Sequence, residues 1–318
     1  IRDIFEYGMK RAKEVGAENV FDFSIGNPSV PAPKEIDETA LRLLKTSDPV
    51  DIHGYTSNAG VLEVRENIAK SLNKRFDTNY TAANIFMTIG AAAALGICFK
   101  TLVDGPEDDI ITFAPHFPEY AVYAQGAGCK LKVISADTKA FQINFEELEE
   151  TISEHTKAIL INSPNNPSGV VYSRETIEKL AALEKKQKEY GHSIYIISDE
   201  PYREIAYDGF EVPYVPHFYN NTLVAYSFSK SLSLPGERVG YIVAPNEAED
   251  FDNLLPAFIA SARLLSYVCV PTLYQKVVGE CVDLTAVSYI RLSAVQFHLL
   301  FLSQSSYKNL FLEHILQL

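Results

Sequence analysis

From about residue 84 onward the chain alternates between two patterns. Short, mostly apolar runs occupy 85–89, 109–113, 130–134, 158–161, 193–197, 223–226 and 239–243. Between them lie segments with apolar residues three or four positions apart, at 91–102, 119–125, 145–152 and 174–190. Strands buried on both faces read as continuous hydrophobic runs, because neither face meets water. The pattern therefore predicts an α/β fold, with a mainly parallel seven-stranded sheet sandwiched by helices. Helical spacing also appears at 4–15, 34–44, 61–76 and 251–279, and residues 20–24 alternate like a short strand before the turn at Ile25-Gly-Asn-Pro28. The apolar run at 299–302 reads as a packed helix, since Gln304, Lys308, Asn309 and Glu313 interrupt it.

Composition narrows the partners. The 318 residues are 47% hydrophobic, enough for one large or two medium domains. A formal net charge of −13 argues against nucleic acid, which needs basic groups to neutralise phosphates. A small anion is still allowed, because a local site can be positive on an acidic protein. Cys98, Cys129, Cys269 and Cys281 form no CxxC, and the seven histidines form no HExxH. No metal site is expected. Free thiols, a start unlike a signal peptide and no apolar run of membrane-spanning length predict a cytoplasmic protein with no membrane partner. The first residue is Ile1 and not Met, so the N-terminus is expected to be incomplete.

In open α/β sheets ligands bind beyond the carboxyl ends of the strands. Each of these ends carries something polar or specific. Gly90-Ala-Ala-Ala-Ala94 opens a helix where free backbone N–H groups could meet a phosphate, or where small residues simply pack closely. Phe117, in Pro115-His-Phe-Pro-Glu-Tyr120, is either a cover for a flat ring or a core aromatic. Asn166, in Asn162-Ser-Pro-Asn-Asn-Pro-Ser-Gly169, is either a turn former or an amide donor. Asp199 ends an all-apolar strand, which is costly without a charged partner; the alternative is a turn cap. Ser227 and Lys230 follow the next strand, with Arg238 beyond a Pro-Gly turn. Hydroxyl and guanidinium groups are natural phosphate ligands. Together the strand ends describe a phosphorylated pyridine held by a lysine, with an acid for its ring nitrogen: pyridoxal 5′-phosphate.

Asn166-Pro-Ser-Gly169, Asp199-Glu-Pro-Tyr202 and Ser227-Phe-Ser-Lys230 through Arg238 resemble the signature set of class I/II aminotransferases, the aspartate aminotransferase-like fold type I enzymes. The resemblance runs from about residue 20 to 280. It implies that Lys230 bonds the cofactor and shuttles the proton, and that Asp199 pairs with the pyridinium nitrogen. Asn166 and Tyr202 would bond the ring oxygen. Gly90, Ala91, Ala92, Ser227 and Arg238 would hold the phosphate, and Phe117 would stack on the ring. Tyr55, in His53-Gly-Tyr-Thr-Ser-Asn-Ala-Gly60, matches a tyrosine that reaches the neighbouring subunit's phosphate, which implies a homodimer with shared active sites. Gly26 and Asn27 match the segment beside the substrate. Asn166 also borders the substrate, and Arg291 matches the arginine that grips its α-carboxylate. The implied domains are an N-terminal segment 1–45 belonging to a small α+β domain, a large cofactor-binding domain 46–260, and a connecting helix with a shortened small domain at 261–318.

The chain departs from the family between Thr285 and Arg291, where members run several tens of residues longer. Either the small domain is reduced or a segment is missing there; the second is expected, because no turn signal marks Thr285-Ala-Val-Ser288. The expected activity is ping-pong transamination between an amino acid, with aspartate one candidate, and a 2-oxo acid such as 2-oxoglutarate. The alternatives are β-elimination by a carbon–sulfur lyase on the same scaffold, or a non-catalytic cofactor-binding protein. Arg263 would either reach a substrate side-chain carboxylate from the partner subunit or pack on its own helix.

Overall fold

The computed structural model describes residues 2–284, apart from 22–25, 29, 137–139 and 208. All seven predicted strands are present: β1 Ile85–Thr88, β2 Asp109–Phe113, β3 Lys130–Ile134, β4 Thr156–Asn162, β5 Tyr195–Asp199, β6 Thr222–Ser227 and β7 Gly240–Val243. They form one sheet in the order β1-β7-β6-β5-β4-β2-β3. The five from β6 to β3 pair in parallel, and β7 is antiparallel to both of its neighbours.

Chain length explains the reversal at β7. The helix between β6 and β7, Phe228–Ser231, has 4 residues and spans about 6 Å. Travelling back along the 6 residues of β6 takes about 20 Å. The chain therefore turns at the carboxyl end of β6 and returns directly. Lys230 and Arg238 sit in this one connection, so both stay at the same end of the sheet.

Side chains on the two faces of the sheet go to separate cores. Phe86, Ile110, Leu160, Ile197, Leu223 and Ile242 pack with the helices Ala91–Leu102, Tyr120–Ala127 and Phe251–Leu264. On the other face, Ile85, Met87, Val224, Tyr241 and Val243 meet the helices Lys34–Thr46, Leu62–Phe76 and Thr272–Glu280. Ile111, Ile159 and Ile196 continue that face towards Phe145–Thr151 and Arg174–Leu180. Burying one such Ile is worth about 1.5–3 kcal/mol. The summed burial makes the sheet a rigid platform for the loops at its end.

Two predicted helices are divided. The segment 174–190 breaks at Ala181 and Ala182, where i→i+3 bonds from Ala182 N to Lys179 O and from Lys185 N to Ala182 O replace the regular ladder; Leu183–Tyr190 follows. The segment 251–279 ends at Leu264, because Ser266 takes φ +69° and Pro271 then leads into Thr272–Glu280. The strand read at 20–24, the helix at 295–318 and Arg291 lie wholly or partly outside the described residues. Among the described residues no helix is long and apolar enough to cross a membrane, and no cluster of three or more His, Cys, Asp or Glu could hold a metal ion. The four cysteines are free.

Candidate active site at the carboxyl ends of the strands

Register aligns the strand ends. Thr88 and Ser227 both pair with Gly240, while Asp199 pairs with Ala225 on one side and Asn162 on the other. The loops leaving these residues therefore converge.

Lys230 is half-buried on the short helix after β6, and its Nζ donates to the Gly26 carbonyl. Burial lowers its pKa, and the positive charge of Arg238 lowers it further. Gly26 and Arg238 thus both act on the Lys230 amine, one as acceptor and one as a nearby charge. Ser227 caps the helix: its Oγ accepts from Ser229 N at 3.2 Å and lies 2.7 Å from Ser229 Oγ. A hydroxyl has two acceptor sites and one donor, so capping leaves Ser227 able to serve a ligand as well.

Arg238 adopts φ +55°, and its Nη1 donates to Pro235 O at 3.0 Å. Its guanidinium lies over Gly90, the residue before the helix Ala91–Leu102. A Cβ at Gly90 would stand 2.8 Å from Arg238 Nη2, and Gly90 has φ +84° with ψ 175°, a region essentially reserved for glycine. Gly240 permits the same close approach, since a Cβ there would meet Tyr226 O at 2.4 Å and the Gly90 backbone at 3.0 Å. The result is a cradle of guanidinium and helix N-terminal N–H groups at Ala91 and Ala92, suited to an anion. Gly90→Ala should lower stability by about 1–3 kcal/mol and displace the guanidinium. Urea unfolding of the variant measures the loss; wild-type stability would show that the cradle is loose.

Asp199 is 5% exposed. Its Oδ2 accepts from Tyr120 OH at 2.7 Å, while Oδ1 is buried with no hydrogen-bond partner. Burial pushes its pKa up to about 7, against the lowering effect of the Tyr120 hydrogen bond, and neighbouring Glu200 adds to the rise. An orphaned carboxylate oxygen in the interior is costly and calls for a cationic N–H donor.

Asn166 Nδ2 donates to Tyr202 OH at 3.3 Å, which puts two polar groups beside Asp199. Burial raises the Tyr202 pKa, as does the charge on Asp199. Phe117 is partly buried against the core, and its ring meets Tyr120 edge-on at 5.7 Å. Tyr55 is 92% exposed. Arg263 Nη2 donates to Asn58 Oδ1 at 3.4 Å, which ties its helix to the loop carrying Tyr55.

The sequence reading did not single out Tyr120, Ser229 or Asn162. Tyr120 begins a helix of small residues and is 1% exposed, and the hydroxyl it buries was the available signal. Asn162 is the one amide inside an otherwise apolar strand end.

A doubly covered, mainly parallel sheet with a lysine, an unpaired acid and an anion cradle at one end defines a cofactor-dependent α/β enzyme scaffold. The chain belongs to the class I and II aminotransferase family, whose pattern matches residues 18–286. Members of that family use pyridoxal phosphate. The chain is 37% identical over 230 residues to the aspartate aminotransferase of Thermotoga maritima, covering 71% of this chain and 58% of that one. It is 28% identical over 284 residues to a probable N-acetyl-LL-diaminopimelate aminotransferase of Bacillus subtilis, covering 88% and 68%. The crystal structure of an amino transferase from Eubacterium rectale superposes with a TM-score of 0.88 at 53% identity, over 91% of this chain and 73% of that one. The chain thus spans little more than half the length of the first of these relatives.

Proposed function

We propose that this chain carries the cofactor-binding machinery of an enzyme that moves an amino group from an amino acid to a 2-oxo acid, with pyridoxal phosphate bound at the strand ends. The observation that carries the reading is the orphaned Oδ1 of Asp199, one strand away from Lys230. The residues present fit the group. Asp199 Oδ1 would accept from the protonated ring nitrogen, and Asn166 and Tyr202 would bond the ring oxygen. Arg238, Ser227 and the N–H groups of Ala91 and Ala92 would hold the phosphate, with Gly90 giving them room. Phe117 would cover the ring. When bound, the cofactor supplies an electron sink that acidifies the α-proton of an amino acid.

Lys230 does the proton work. A half-buried amine beside Arg238 loses its proton more readily than an exposed lysine, so Nζ can take the α-proton and return it elsewhere. The Gly26 carbonyl orients Nζ and belongs to the segment we place beside the substrate. Arg291, outside the described residues, would hold the substrate carboxylate. Tyr55 would reach the phosphate of a second protomer; its exposure on a single chain supports a homodimer with shared sites.

Aspartate is the first donor to test, because the T. maritima relative carries that name. Protein loaded with pyridoxal phosphate should convert an amino donor only when 2-oxoglutarate or another 2-oxo acid is supplied. Release of pyruvate and ammonia without an acceptor would overturn transfer in favour of elimination.

A further inference from the structure

Asn162 ends β4 and is 3% exposed. Both ends of its side-chain amide are engaged. Nδ2 donates to the backbone carbonyl of Asp199 at 2.9 Å, and Oδ1 accepts from the backbone N–H of Asn166 at 2.6 Å. Asn166 in turn donates from Nδ2 to Tyr202 OH, and Tyr202 lies three residues after Asp199 on the same loop. The contacts close into a ring: Asp199 backbone, Asn162 amide, Asn166, Tyr202, and along the chain back to Asp199.

We propose that Asn162 is a positioning residue that sets the reach of Asn166 relative to Asp199, and so gauges the distance between the groups serving the ring oxygen and the ring nitrogen. This rests on the cofactor reading given above. The geometry suits the task. Strand pairing holds Asn162 opposite Asp199, so one end of the gauge is fixed by the sheet. The other end is a single backbone N–H in a turn that also contains Gly169, whose φ is +73°. Other bonds hold the turn to itself, from Asn165 N to Val170 O and from Gly169 N to Asn165 O, so cutting the Asn162 tether leaves the turn formed but frees Asn166 to shift relative to Asp199. No shorter side chain can bridge both groups: serine lacks the reach and the second polar atom, and aspartate has no N–H for the Asp199 carbonyl.

The test uses the full chain and three variants: Asn162→Ala, Asn166→Ala and the double variant. Each is read by equilibrium dialysis against pyridoxal phosphate and by the pH midpoint of the bound cofactor's visible absorption. N162A should weaken cofactor binding by about tenfold, the scale of one buried hydrogen bond, and should move the pH midpoint in the same direction as N166A. The double variant should bind no worse than N166A alone, because Asn162 acts through Asn166. Fully additive losses, or an unmoved midpoint in N162A, would overturn the proposal and leave Asn162 a packing residue. If N162A does not fold, the same cycle with Asn162→Ser, which breaks the bridge but keeps a polar atom, reads the same coupling. Failure of the wild type to take up the cofactor would instead refute the cofactor reading, so the two failures are distinguishable.

Discussion

Lys230→Ala should cripple amino-group transfer, lowering kcat by about 10²- to 10⁴-fold, the scale of losing a positioned acid–base group. The size follows from what Lys230 is placed to do. Its Nζ is aimed inward, at the Gly26 carbonyl, and its proton is held loosely because of burial and Arg238. On the proposed function, alanine removes both the amine that would bond the cofactor and the base that would move the proton. The anion cradle of Arg238 and Gly90 is untouched, so the variant should still bind pyridoxal phosphate, now without a covalent link. Borohydride treatment followed by mass spectrometry should mark residue 230 in the wild type and leave the variant unmarked. Full turnover in K230A would refute the assignment.

Asp199→Asn should change activity and stability in opposite directions. Activity should fall by about a hundred- to a few thousand-fold, the cost of taking the charge from one side of a buried ionic contact. Stability of the cofactor-free protein should rise at alkaline pH. The sign follows from linkage. The folded pKa of about 7 lies above the ordinary aspartate value of about 3.9. The folded state holds this proton more tightly than the unfolded chain. That contribution is full below about pH 4 and is lost as pH climbs through about 7. Above that window wild type buries an unpaired charge, whereas asparagine stays neutral. D199N should therefore be more stable at pH 8, by an amount of the order of a few kcal/mol, with the gap closing towards pH 4. Bound cofactor should erase the gap by supplying the missing cation. Urea unfolding at several pH values, with and without pyridoxal phosphate, measures this. An identical pH profile for the two proteins would show that Asp199 is not strained.

Much of this was legible in the sequence, for a physical reason. Strands covered on both faces have few polar positions, so runs such as Ala158-Ile-Leu-Ile161 stand out. A charged residue close behind such a run needs either a turn to cap or a charged partner, which is why Asp199 and Lys230 stand out. Features that depend on register or on exact backbone geometry were not legible. The partner of Asp199 is Tyr120, 79 positions away, and only the pairing of β2, β4 and β5 brings them together. The amide of Asn162 looked like any turn residue until both its bonds were seen. The break at Ala181 and Ala182 leaves no mark in composition, because alanine favours helix. Ser227 was read as a ligand for phosphate, yet it also caps the helix that carries Lys230.

The short return from β6 to β7 has an evolutionary consequence. Acid, base and anion anchor all hang from strand ends whose spacing is set by backbone pairing, while the Gly26 carbonyl that Lys230 donates to comes from an earlier segment of the chain. Substrate-facing segments can then be exchanged provided that a backbone carbonyl still meets Lys230. A scaffold divided in this way can found a lineage whose members share one cofactor and differ in what they feed it.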